Sequence, residues 1–185
     1  MKNTLFILFS FLVFASYAQE SFILSKESVL KINGSSTIHD WTVTANSMKG
    51  SLKMKDGTVK NLMFQVEVAQ IKSERGAAMD KKMHAALKME EHPEVSFKIQ
   101  EIKQTPDSEN TFQIHGVLTI AGVEKAVDIT TEFQESGGNY LFKGSKEIKL
   151  QDYDMKPPTA MFGQIIVGDN VTIDFYLVYA QELGL

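Results

Sequence analysis

From Glu27 onward the chain alternates apolar and polar positions with a period of two. Across 111–120, Phe112, Ile114, Gly116, Leu118 and Ile120 share one face, opposite Thr111, Gln113, His115, Val117 and Thr119. Across 126–134, Val127, Ile129 and Phe133 oppose Asp128, Thr130 and Glu132. Similar stripes are formed by Leu62, Phe64, Val66 and Val68, by Val95, Phe97 and Ile99, and by Val171, Ile173, Phe175, Leu177 and Tyr179. Successive strand side chains point to opposite faces, so this period predicts antiparallel strands with one buried face. Turn residues separate the runs: Lys55-Asp56-Gly57, Pro106-Asp107-Ser108-Glu109-Asn110, Ala121-Gly122 and Ser136-Gly137-Gly138-Asn139. Each joins two alternating runs, which predicts hairpins. About eight strands in this up-and-down order predict a closed barrel, because closure removes unpaired edges.

Two segments break the alternation. Gly76–His92 is rich in Ala, Met, Lys and Glu, with Met79, Met83, Ala86, Leu87 and Glu90 near helical spacing. It predicts an amphipathic helix that ends at Pro93. Its methionines suit either core filling or an adaptable lining for a flexible ligand. Gln151–Asn170 holds Pro157-Pro158, Phe162-Gly163 and Gly168 and reads as a long irregular loop. Gly34 reads as a bend or bulge.

The N-terminus adds a processing signal. Lys2 precedes the run Leu5–Ala15, apolar but for Ser10, and Ser16-Tyr17-Ala18 follows. This is the pattern of a secretory signal peptide cleaved after Ala18. A membrane span would need roughly 20 apolar residues. The division is therefore a leader at 1–18 and one barrel domain at 19–185, exported to the periplasm. Of 185 residues, 43% are hydrophobic and 23% charged, the balance of a globular domain. The formal charge of −4 argues against a nucleic-acid partner. The chain has no cysteine, which excludes disulfides, thiolate metal sites and thiol catalysis.

Several local motifs, taken in order, resemble one family. They are Gly34-Ser35-Ser36-Thr37-Ile38-His39-Asp40-Trp41, Met79-Asp80-Lys81-Lys82-Met83, Ala86-Leu87 followed by His92-Pro93-Glu94-Val95-Ser96-Phe97, Gly116 to Gly122, and Gly168-Asp169-Asn170-Val171-Thr172-Ile173. Together they resemble the YceI-like family of bacterial periplasmic proteins, from about Leu30 to Tyr179. The resemblance implies a mainly β, lipocalin-like, eight-stranded antiparallel barrel with one helix. It implies an apolar lipid in the barrel: a polyisoprenoid, an isoprenoid quinone or a fatty-acid derivative. It also implies a homodimer in many members. Transient contact with a membrane is expected of such a carrier, and no cofactor beyond the bound lipid.

The inward faces and the elements expected near the mouth define a lipid-binding set. Strands supply Trp41, Val43, Phe64, Val66, Phe97, Phe112, Ile114, Phe133 and Phe175; the helix supplies Met79, Met83 and Leu87; the loop supplies Phe162. Alternation puts His39 on the face of Trp41, Val43 and Ala45. It reads as a buried histidine satisfied by neighbours, a polar anchor for a head group, or an acid–base in an enzyme acting on the lipid. Asp80 and His84 stand at i, i+4, a spacing that can hold a metal, but no third ligand is evident and no metal is expected. His115 falls on a solvated face. No nucleophile elbow, P-loop, dinucleotide fingerprint or zinc-protease motif occurs. The reading is a lipid-binding protein and not an enzyme; a ligand-free scaffold barrel is the further alternative.

Overall fold

The computed structural model describes residues 19–106 and 108–181. The leader expected at 1–18 lies outside the described residues. The elements in order are β1 (Glu20–Leu24), β2 (Val29–Ser36), β3 (Asp40–Ala45), β4 (Met48–Lys55), β5 (Thr58–Glu67), β6 (Ile71–Ser73), α1 (Ala77–Ala86), β7 (Glu94–Gln104), β8 (Thr111–Ile120), β9 (Val123–Ser136), β10 (Asn139–Lys149), β11 (Thr159–Ala160) and β12 (Ile165–Gln181). Three pairs are single staves broken near the middle: β1 with β2, β3 with β4, and β5 with β6. Counted so, eight antiparallel staves follow one another around the barrel. It closes through β12, which pairs β10 on one edge and both β1 and β2 on the other.

The breaks keep their backbone groups satisfied, as burial requires. Between β1 and β2 the chain leaves the ladder, and the Ser28 hydroxyl stands in for a missing neighbour. Its Oγ accepts from the buried Val178 N–H at 3.0 Å and donates to the Val178 carbonyl at 3.3 Å. At the second break, Asn46 N–H donates to Gln70 O at 2.9 Å. The third is a 3-10 turn over Val68–Gln70.

Hairpin chemistry is as the dipeptides foretell. Asp56 and Gly57 both have positive φ (52° and 68°), as do Gly137 and Gly138 (58° and 76°). Two consecutive left-handed residues give the turn whose twist matches that of the flanking strands.

The helix is shorter than its sequence pattern. It stops at Ala86, well before Pro93, because Lys88 turns left-handed (φ 53°) and closes a Schellman motif. Lys88 N–H donates to Ala85 O at 3.1 Å and Met89 N–H to His84 O at 3.0 Å. The stretch 151–170 is more ordered than expected. It contains a 3-10 turn at Leu150–Tyr153, then β11, which pairs with the first residues of β12 through Thr159↔Ile166 and Ala160↔Ile165. Gly34 pairs regularly with Trp41 on its β3 side and borders a bulge on its β12 side, where the register shifts between Val167↔Ser36 and Val171↔Gly34.

Candidate functional site

One end of the barrel is plugged and the other holds a cavity. Phe22, Phe112, Phe133, Tyr140, Phe142 and Tyr179 form a contiguous set of rings at the plugged end, with centroids 4.8–5.7 Å apart in successive pairs. Such edge-to-face and offset contacts fill the interior without voids. Above them lies a cavity of about 250 Å³. Its lower wall is apolar, with Leu62, Phe64, Phe97, Ile114, Phe142 and Leu177. Its mouth is ringed by Ser36, His39, Ser73, Arg75, Lys82, Pro158 and Thr159, with α1 alongside through Met79, Met83, Ala86 and Leu87.

Inward-facing glycines make the space. A Cβ at Gly34 would overlap the Trp41 indole, one at Gly116 the Phe97 ring, and one at Gly144 the Phe175 ring. Each aromatic residue therefore lies flat on a neighbouring strand where a side chain is missing. A wall of ordinary side chains would push the three rings toward the axis, and an eight-stranded barrel is only just wide enough to be filled that way.

His39 sits at the mouth, half-buried. Its Nε2 faces the Arg75 guanidinium within hydrogen-bond distance, and its Nδ1 lies 3.4 Å from Ser36 Oγ. Arginine only donates, so Nε2 accepts and the ring proton resides on Nδ1. Ser36 Oγ in turn donates to His39 O at 2.8 Å. Trp41 Nε1 donates to Ser35 O at 2.9 Å, which fixes the indole over Gly34.

Asp80 and His84 do not form a metal site with His92. They close a sheet edge. Past β6 the next stave begins only at Glu94, so the outer edge of Ile71–Ser73 lacks a partner strand. Asp80 Oδ1 accepts from Ser73 N–H at 2.7 Å, and His84 Nε2 donates to Ile71 O at 2.9 Å. One helical turn thus supplies the acceptor and the donor a neighbouring strand would have offered. His92 packs against the Ala121–Gly122 turn, and His115 pairs with Asp128 at 2.8 Å on the outer surface. Among the described residues no group of three metal-ligating side chains comes together.

Most of the expected lining is present. His39, Trp41, Val43, Phe64, Val66, Met79, Met83, Leu87, Phe97, Ile114 and Phe175 all border the cavity. Three residues do not. Phe112 and Phe133 face inward as their alternation requires, but at the plugged end, where Phe112 meets Phe133 edge-to-face and Phe133 stacks on Tyr140. Phe162 projects into solvent from the tip that joins β11 to β12. Three cations on the lining escaped the sequence reading: Arg75, Lys146, and Lys82 on α1. Arg75 lies in the β6–α1 connection, where no periodicity applies. Lys146 shares the inward parity of Phe142, Gly144 and Ile148, a signal that was available along 142–148.

Buried tyrosines complete the electrostatics. Tyr153, between the upper strands, has its hydroxyl pushed up to about 12 by burial and by the adjacent Asp152 carboxylate. Burial alone raises Tyr179 far above the usual tyrosine value.

The sequence matches the family model described as "YceI-like domain" over residues 21–179. No curated protein sequence matches the chain. Solved structures resemble its fold. A polyisoprenoid binding domain from Saccharophagus degradans superposes with a TM-score of 0.70 at 14% identity, covering 89% of this chain and 100% of that one. BcnA from Burkholderia cenocepacia gives 0.67 at 20% identity, covering 82% and 95%. The Campylobacter jejuni YCEI protein gives 0.63 at 17% identity, covering 77% and 85%.

Proposed function

The chain belongs to the YceI-like domain family, and on that premise we propose that its barrel binds a long apolar lipid for carriage, storage or sequestration. The observation that carries this reading is the cavity: about 250 Å³ within the barrel, lined almost wholly by apolar side chains. A structural relative described as a polyisoprenoid binding domain supports an isoprenoid tail as the occupant. Each methylene of a tail that the cavity takes out of water contributes about 0.8 kcal/mol before association costs. A longer tail gains more by displacing Met79 and Met83, whose unbranched side chains repack at little cost.

His39 supports binding over catalysis. Both its ring nitrogens are engaged by protein groups, Arg75 and Ser36, an arrangement that holds the ring in place. The leader pattern at 1–18 supports a periplasmic location, where a lipid must cross water between membranes. The rim supports transient membrane contact, since Ile38, Met161, Phe162 and Ile166 are all exposed there.

Native mass spectrometry of the protein purified from its own source tests the reading. We expect an added mass matching a long-chain lipid, lost in Val66→Trp. Val66 is buried on the cavity wall, and an indole there fills the space a tail needs. An empty wild type that also takes up no farnesol or hexadecanol in vitro overturns it.

A further inference from the structure

Building on the lipid-binding reading, we propose that the ligand carries an anionic head group, a carboxylate or a phosphate monoester, held by Lys146 with Arg75 and Lys82 at the mouth. The protein as a whole is acidic, with 23 Asp and Glu against 19 Lys and Arg. Its cavity inverts that balance. Three cations, Arg75, Lys82 and Lys146, border it, and no aspartate or glutamate does. A neutral head group gains nothing from three like charges gathered on one lining, whereas an anion is attracted by all of them.

Lys146 is the most telling of the three. It stands on the inward face of β10 opposite Ile173, between Gly144 and Ile148. The wall around it is hydrocarbon, with Ile129, Ile148, Ile173 and Phe175 also on the lining. Among the described residues the ion pairs are Lys72–Asp80, Lys103–Glu101 and His115–Asp128, so no carboxylate neutralises Lys146. An ammonium without a protein counter-ion keeps its charge and its N–H groups available to a ligand anion, with which it forms charge-assisted hydrogen bonds.

The other two cations are already oriented by the fold. Arg75 donates to His39 Nε2 and keeps further N–H groups for an acceptor. Lys82 reaches across the mouth to Thr159 O at 3.2 Å, tying α1 to the β11 segment. A tail in the cavity puts its head at this level. Carboxylate and phosphate monoester share the chemistry that the site selects: a compact anion with several acceptor oxygens.

The test compares probes matched in tail and differing in head: palmitate, hexadecanol and hexadecylamine, and farnesyl monophosphate against farnesol. Affinities are read by competition for a fluorescent fatty alcohol on the mature protein. We expect each anion to bind at least tenfold tighter than its alcohol, with the amine weakest. Lys146→Gln should erase most of that preference, and Arg75→Gln should reduce it. The anion with the larger gain over its own alcohol identifies the head group. Equal affinity across heads overturns the anionic head group and leaves lipid binding intact; a preference for the anions that survives both substitutions overturns its capture by Lys146 and Arg75. That second outcome would mean that Lys146 merely extends past the wall to solvent. Failure of every probe, the alcohols included, overturns both.

Discussion

Gly34 and Trp41 face each other across the β2–β3 ladder, and the indole occupies the space that a methyl group on Gly34 would fill. Gly34→Ala should therefore displace the ring toward the cavity or strain the hairpin, at a cost of about 1–3 kcal/mol. Trp41 is the sole tryptophan, so its fluorescence reports the site without ambiguity. A shifted emission maximum together with a lowered Tm is the expected result. Unchanged values of both would show that the ring does not depend on the glycine.

The sheet edge at β6 makes a second prediction. Asp80→Ala leaves the Ser73 N–H without its acceptor, and His84→Ala leaves the buried Ile71's carbonyl without its donor. Each should cost about 1–3 kcal/mol in urea denaturation. Both act on one short strand, so the double variant should lose less than the sum of the singles. Strict additivity would mean that the two bonds are independent and that β6 stays ordered without either.

Alkaline pH should weaken the fold through Tyr153. Its folded-state value is raised to about 12 by burial and Asp152, whereas an unfolded tyrosine titrates near its ordinary value of about 10. The stabilisation is thus complete below pH 10 and is lost as pH rises from there through 12. Urea midpoints at pH 9 and 11.5 should show the fall, and Tyr153→Phe should shrink it. Tyr179, raised in the same direction, leaves a residual slope. A Tyr153→Phe protein that loses as much as wild type would contradict this account.

The tip joining β11 to β12 combines exposure with backbone strain. Met161 and Phe162 are both left-handed (φ 50° and 55°), and both side chains are exposed. A left-handed conformation costs an ordinary residue about 1–2 kcal/mol. Phe162→Asn should then keep or raise the Tm. If the tip meets membranes, the same change should slow lipid transfer from vesicles about tenfold, since burying a phenylalanine is worth about 1.5–3 kcal/mol. Unaltered transfer would remove the tip from the delivery step.

Alternation along 58–68, 111–120 and 171–179 was enough to assign inside and outside, and the Asp56-Gly57 and Gly137-Gly138 pairs were enough to place hairpins. These are local properties: side-chain parity and left-handed φ depend on a few adjacent residues. Parity says nothing about height along the barrel axis, which is set by the stagger between strands. That is why Phe112 and Phe133, correctly inward, lie in the plug, while Ile114, one step further along β8, lines the cavity. Stagger also determines that Lys146 meets an apolar wall without a carboxylate, although its parity was plain in the sequence. The role of Asp80 and His84 was likewise out of reach, because their spacing suits a metal as well as a sheet edge. Only the tertiary structure, by ending β6 without a neighbour, decided between them. The sequence by itself determined a closed barrel with an apolar interior; the packing of staves against one another determined how much of that interior is filled and what charge faces the part left open.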